Sequence, residues 1–134
     1  MATLNSSPFT PGVSSDTFVP DQLIAGRFPL VTDTVTLVSG QNLKRGAVLG
    51  KITASGKYTL SLSAAGDGSQ TPAAILADDV NATGGDKQAG IYLAGEFNTN
   101  ATTFGTGHTA ASTKDGLRAL GIYLKSVVNA TDPT

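Results

Sequence analysis

The sequence predicts a mainly β protein: a compact, mostly antiparallel β domain with one or two short helices and an extended N-terminal arm. Three observations predict it. Short stretches rich in Val, Thr, Ile and Tyr that alternate apolar with polar residues recur from about residue 28 onward. Turns rich in Gly, Asn and Asp separate them, without the rhythm of strand–helix–strand units. Ahead of them stands "NSSPFTPGVSSDTFVP" (5–20), which carries one charge and no sustained helical or strand period, yet keeps Phe9, Phe18 and Val19. These divide the chain into an arm (1–27), a β-rich body (28–128) and a polar tail (129–134).

In chain order, "VTDTVTLV" (31–38) sets Val31, Asp33, Val35 and Leu37 against threonines and reads as a strand. "AVLGKIT" (47–53) follows a Gly-bounded turn, and "KYTLSLS" (57–63) places Tyr58, Leu60 and Leu62 on one face, so both are expected as half-buried strands. "AAGDGSQTP" (64–72) is turn chemistry with Pro72 as a stop, "AAILA" (73–77) a short apolar strand, and "DDVNATGGD" (78–86) a loop. "AGIYLAGEFN" (89–98) is the longest apolar strand, and residues 99–111 are an irregular connection. "STKDGLRALG" (112–121) supplies Ser112 or Thr113 as N-cap, Asp115 near the positive helix end, Leu117 and Leu120 three apart, and Gly121 as a stop. That is a helix of one or two turns. "IYLKSVV" (122–128) closes the body as a last strand.

The 134 residues contain no Cys and no Trp, so disulfides, thiolate metal sites and Cys nucleophiles are excluded, and the core must be built from small and β-branched side chains. Such a core is modest, and self-association would help it. A formal charge of −1, with basic residues scattered singly apart from Lys44-Arg45, argues against a nucleic-acid partner. No apolar run approaches the ~20 residues of a membrane span, and no export signal is readable, so synthesis in a cytoplasm is expected. The sequons at Asn5, Asn81, Asn100 and Asn129 are then chance in an Asn/Thr-rich chain.

Motifs that could carry chemistry are each incomplete. His108 in "GTGHTA" is the only histidine; no G-x-S-x-G elbow accompanies it, and its loop looks too loose in composition to fix an imidazole. The same six residues satisfy a dinucleotide fingerprint, but without the βαβ setting it requires. "GKITASGKY" (50–58) has the look of a phosphate loop with the wrong glycine gap and with Tyr58 where a hydroxyl should bind Mg²⁺; it reads as a hairpin turn. Asp79, Asn81 and Thr83 begin like a calcium loop with Asp78 and Asp86 nearby, but Gly90 stands where a bidentate Glu must close it. No cofactor, metal or catalytic residue is assigned, and no enzymatic activity is expected.

"LKRGAVLGKITASGK" (43–57) invites a rival reading as a lipoyl or biotinyl attachment hairpin, since Gly46, Leu49 and Ile52 fit the spacing. Lys57 comes one residue late, however, and a slip of one reverses the face on a strand. A β-rich adhesion module of a virion is a further alternative.

Taken together, "RGAVLGKIT" (45–53), "GDGSQTPAAILADDV" (66–80), "AGIYLAGEFN" (89–98) and "LRALGIYLKSVV" (117–128) resemble, in that order and spacing, the head decoration proteins of tailed bacteriophages, the lambda protein D family. The resemblance covers about residues 35 to 128 and is carried by Gly68, Ser69, Gln70 and Pro72, by Gly95, Glu96, Phe97 and Asn98, and by Leu117, Arg118 and Gly121. It implies a β-clip-like body and a homotrimer on the outer surface of the virion, at the threefold and quasi-threefold positions of an expanded capsid. There it stabilises the head against DNA pressure, without catalysis. It also implies an arm that orders on the shell by adding a strand to the major capsid protein. Leu4, Phe9, Thr10, Val13, Phe18 and Val19 are then capsid-binding candidates by position, which gives the arm's apolar residues a purpose.

Overall fold

The computed structural model describes residues 23–126. Eight strands and one α-helix follow in the order β1 (Val31–Leu37), β2 (Asn42–Leu43), β3 (Val48–Lys51), β4 (Tyr58–Leu60), β5 (Pro72–Leu76), β6 (Val80–Asn81), β7 (Lys87–Asn98), α1 (Ala110–Arg118) and β8 (Ile122–Lys125), with a 3-10 turn at Thr99–Ala101. The main sheet runs β1-β4-β3-β5-β7-β8, and a further pairing of β1 with β7 closes the first five strands into a small barrel. Strands β2 and β6 form a separate ribbon.

Most pairings are antiparallel, as the alternation predicts, but β1–β4 and β7–β8 are parallel. The β7–β8 pair is possible because α1 provides the crossover that parallel neighbours require. Closure is achieved by β7, which is long enough to pair with β1 through Ala94↔Val31 to Lys87↔Leu37 and to continue through Gly95–Asn98 alongside β8.

Two cores result. Inside the barrel sit Leu37, Ala47, Leu49, Ala74, Leu76, Ala82, Ala89 and Ile91. Five strands enclose little room, which is why four of these eight are alanine. Outside the β3–β5–β7 wall, Leu23, Val48, Ile75, Phe97, Leu117, Ile122 and Leu124 pack under α1 and β8. Neighbours in β3 (Val48 and Leu49) and in β5 (Ile75 and Leu76) therefore point into opposite cores. This corrects the expectation of a half-buried strand at 47–53: Val48, Leu49 and Gly50 are all buried, because that wall is covered on both faces.

Other boundaries also shift. The expected face of Tyr58, Leu60 and Leu62 breaks at the end of β4: Leu62 is exposed, whereas Ser61 is fully buried. Ser61 tolerates burial because its hydroxyl donates to the Ser69 carbonyl at 2.7 Å. The helix starts three or four residues earlier than expected and is capped by Thr109, not by Ser112 or Thr113. Thr109 and Ser112 form a reciprocal capping box, with Ser112 N–H donating to Thr109 Oγ1 at 3.0 Å and Thr109 N–H to Ser112 Oγ at 2.9 Å. Its first turn holds no acidic residue; Asp115 instead pairs with Arg118. Leu117 is buried, but Leu120 lies beyond the helix end and is exposed. The region 78–86 contains β6, and residues 99–111 contain the 3-10 turn and the start of α1. The last strand is described to Lys125; residues 127–134, and with them the tail, lie outside the described residues.

Candidate functional site

Residues 23–28 lie along the outer half of β7. Asn98 N–H donates to the Leu23 carbonyl at 2.7 Å, Ala25 N–H donates to the Glu96 carbonyl at 2.8 Å, and Ile24 bridges Phe97 antiparallel. Leu23 is buried in the outer core. The side chain of Glu96 completes the attachment: Phe28 N–H donates to Oε2 at 2.8 Å, and Lys125 Nζ donates to Oε1 at 3.0 Å. These bonds, that from Lys125 first and that from Phe28 second, hold the Glu96 carboxyl below its ordinary pKa. Thus the last residues of the stretch assigned to the arm pair with the body as a short added strand. On the other edge of β7, Asn98 is in register with Lys125. Leu23 and Lys125 therefore both lie beside Asn98 at the same end of β7, one on each edge.

Candidates Leu4, Phe9, Thr10, Val13, Phe18 and Val19 lie outside the described residues. The family-motif residues build turns and packing. Gly68 adopts φ +103° beside Thr53, where a β-carbon would meet the Thr53 side chain. Ser69 donates from N and Oγ to Asp67 Oδ1 at 3.0 and 2.6 Å, and these bonds lower the Asp67 pKa. Gln70 accepts from Gly68 N–H through Oε1 at 2.8 Å, and Pro72 opens β5. Gly95, at φ +148°, lets Leu30 and Phe97 close over the sheet. Phe97 is fully buried, and Asn98 caps the 3-10 turn by accepting from Asn100 N–H at 3.0 Å. Leu117 fills the outer core; the Arg118 carbonyl accepts from Gly121 N–H, and Gly121 at φ +93° turns the chain into β8.

His108 is held more firmly than its loop's composition predicts. Its Nε2 lies 3.1 Å from Ser61 Oγ and 3.0 Å from the Gln70 carbonyl. A carbonyl only accepts, so Nε2 carries the proton and donates; the Ser61 proton is directed to Ser69 O. Such an imidazole cannot remove a proton from Ser61, which is also shut off from solvent. It joins the end of β4, the 67–72 turn and the loop before α1. Sequence reasoning missed this because the three segments come together only through the barrel.

The remaining motif residues are engaged in the same way. Asp79 Oδ1 accepts from Arg45 N–H at 2.8 Å, and Asn81 Oδ1 accepts from Thr83 N–H at 3.0 Å. Asp86 accepts from Ser39 N–H at 2.8 Å and pairs with Lys57 at 2.6 Å, and these contacts, with Lys57 the larger, lower its pKa. Residues 50–58 form the β3–β4 hairpin, with Ile52 N–H donating to the Lys57 carbonyl. The amine that a carrier reading would require for acylation is thus paired with Asp86. An open cleft of about 480 Å³ lies beside Thr32, Asp33, Asp78 and Gly90. Arg45 crosses it, donating to the Ala77 carbonyl at 2.6 Å and to Tyr92 Oη at 2.9 Å. Among the described residues, no group of three His, Cys, Asp or Glu is placed to hold a metal ion, and no helix is long and apolar enough to cross a membrane.

The sequence model of the family described as Bacteriophage lambda head decoration protein D matches residues 16–123. No curated protein matches the chain. The matched stretch starts well before residue 35, where the motif resemblance begins, and stops short of 128. It takes in Phe18 and Val19 and leaves out Leu4, Phe9, Thr10 and Val13. With most of its length inside this match and a strand-rich barrel carrying one helix, the chain belongs to the bacteriophage lambda head decoration protein D family, and is a phage head decoration protein of the virion capsid.

Proposed function

We propose that this chain is a cementing protein. It assembles as a homotrimer, sits at the threefold and quasi-threefold positions of the expanded head, and stabilises the shell against internal DNA pressure through contacts with the major capsid protein. Its role is structural rather than catalytic. The N-terminal arm is the gripping element: Leu4, Phe9, Thr10, Val13, Phe18 and Val19 enter pockets of the capsid protein while the arm's backbone adds a strand to its sheet.

The observation that carries this reading is the attachment of residues 23–28 to β7, together with the family match. A clamp transmits force only if the grip is fastened to a rigid body. Here the fastening consists of the buried Leu23 side chain, the two main-chain bonds at Leu23 and Ala25, and the Glu96 carboxylate on Phe28. A single arm binds weakly, because strand addition and side-chain burial are offset by the entropy of ordering about ten residues. Three arms on one trimer raise one another's effective concentration, which gives durable attachment. Extended, the 22 residues before Leu23 reach at most ~79 Å, enough to cross onto a neighbouring capsid subunit.

Cryo-electron microscopy of undecorated expanded capsids incubated with the protein tests the proposal. Added density at threefold positions, with arm density continuous into the capsid protein, is the expected result. Unchanged capsids at saturating protein would refute it.

A further inference from the structure

Gly90 stands inside β7, where neither conformation nor packing requires a glycine. Its φ is not positive, and it pairs with Thr34 in a regular stretch of the β1–β7 ladder. A β-carbon there would meet Asp78 Oδ2 at 3.4 Å and the Ala77 β-carbon at 3.8 Å, both ordinary contacts. Glycine weakens a strand interior, and where no bulge or bend calls for it, it marks a place where another group comes close to the backbone. Gly90 lines the open cleft of about 480 Å³. Ile91 belongs to the barrel core, so Thr32, Thr34, Gly90 and Tyr92 share the outer face. Thr34 flanks Gly90 on the β1 side, and on the other side Ala77 N–H donates to the Gly90 carbonyl at 2.9 Å. Asp78, just past the end of β5, holds its carboxylate over Gly90. The missing side chain thus leaves the floor of the cleft bare beneath a carboxylate.

We propose that this cleft receives an arginine or lysine side chain of another protein, with its stem over Gly90 and its cationic head on Asp78. The chemistry of the lining selects that occupant. Arg45, which crosses the cleft, is held within the fold: Nη1 carries two protons, which go to the Ala77 carbonyl and to Tyr92 Oη, and its guanidinium lies over the Tyr92 ring at 5.5 Å. The other polar side chains of the lining belong to Asp33 and Asp78 and to Thr32 and Thr34. Ionised carboxylates only accept, so the complement is a positively charged group with several donors. A bare metal ion does not fit, since no group of three His, Cys, Asp or Glu among the described residues is placed to hold one, and the space is that of an organic group. The chain's own ends cannot provide such a side chain, because residues 1–22 and 127–134 contain no Lys, Arg or His. The cleft is also preformed: its floor is a strand paired on both sides, so an incoming side chain meets acceptors that need little ordering.

Amide chemical-shift titration of the full-length protein tests the site. The probes are the blocked tripeptide Gly-Arg-Gly, the same peptide with neutral citrulline in place of arginine, and spermidine. Asp78→Asn changes an exposed side chain, and Gly90→Val places a good strand former where a β-carbon has room, so both variants should keep the wild-type circular dichroism spectrum. The expected result is saturable shifts at Thr32, Thr34, Asp78 and Gly90 with the arginine peptide, weakened by added salt and absent with citrulline. Binding should fall about fivefold or more in Asp78→Asn and in Gly90→Val. Equal shifts with citrulline would show that charge is not read, and unchanged binding by both folded variants would place the contact elsewhere; either result overturns the proposal. Tighter binding of spermidine than of the peptide would assign the cleft to free polyamines and overturn the protein partner. Sedimentation of both variants should match the wild type. A changed assembly state in either would give the cleft to a second copy of this chain, and the assignment to another protein would fall.

Discussion

Glu96 accepts the main-chain N–H of Phe28 at 2.8 Å, tying together two residues 68 positions apart and fastening the entry of the chain to the far half of β7. The same carboxylate takes the Lys125 amine, so one side chain links the arm root, β7 and β8.

Because this carboxyl is held charged, its contribution has a defined sign with pH. A pKa depressed on folding gives stability that is complete above the unfolded-state value, near 4.5 for Glu, and lost as pH falls through the lower folded value. Asp86, held by Lys57 and Ser39, acts in the same direction. Thermal unfolding followed from about pH 7 to about pH 3 should therefore show a fall in Tm confined to the acid end. Glu96→Gln should lower Tm at neutral pH and make the acid fall shallower. It should also speed amide exchange at Phe28 by several-fold.

Leu23 belongs to the outer core although it precedes the β-rich sequence pattern. Leu23→Ala should cost about 2–5 kcal/mol and Phe97→Ala about 3–5 kcal/mol, measured by denaturant unfolding. A truncation that removes residues 1–22 should leave the unfolding midpoint nearly unchanged, whereas one that also removes 23–27 should lower it by at least the Leu23 cost.

Close approach requires glycine at positions that include Gly50 and Gly95. A β-carbon at Gly50 would collide with the carbonyl oxygen of Ser69, and one at Gly95 would lie 2.9 Å from Phe97 Cζ on a backbone at φ +148°. Gly50→Ala and Gly95→Ala should each destabilise by roughly 1–3 kcal/mol or more. Gly66→Ala, where a β-carbon meets nothing within 4 Å, should be near neutral.

His108 joins three segments through one nitrogen, so its removal should be felt locally. His108→Ala leaves the Gln70 carbonyl without its donor and should cost about 1–2 kcal/mol. Limited proteolysis should show faster cleavage between residues 102 and 109, with the barrel strands still protected.

Much of the fold was legible because period-two alternation reports a strand wherever one face is wet, as in Val31–Leu37, and because Gly and Pro mark turns such as 64–72. The two-residue strands Asn42–Leu43 and Val80–Asn81 were not, since two residues carry no period. The helix start was misplaced because Thr109 has Ser112 rather than Glu or Gln as its capping partner, which weakens the usual signature. Barrel closure and both parallel pairings depend on contacts distant in sequence, and no local pattern announces them. The same applies to the arm root. Leu23 and Ile24 look like the end of an unstructured leader until the exposed edge of β7 is seen to pair with them.

The central claim is that the arm grips the shell and the body holds the arm. Its most direct test is the affinity of full-length protein and of a variant lacking residues 1–22 for undecorated expanded capsids, with both proteins first shown to be equally folded and trimeric. The truncated protein should bind at least ~100-fold more weakly, the loss expected when three linked contacts are removed together. Equal affinity of the two proteins would contradict the account.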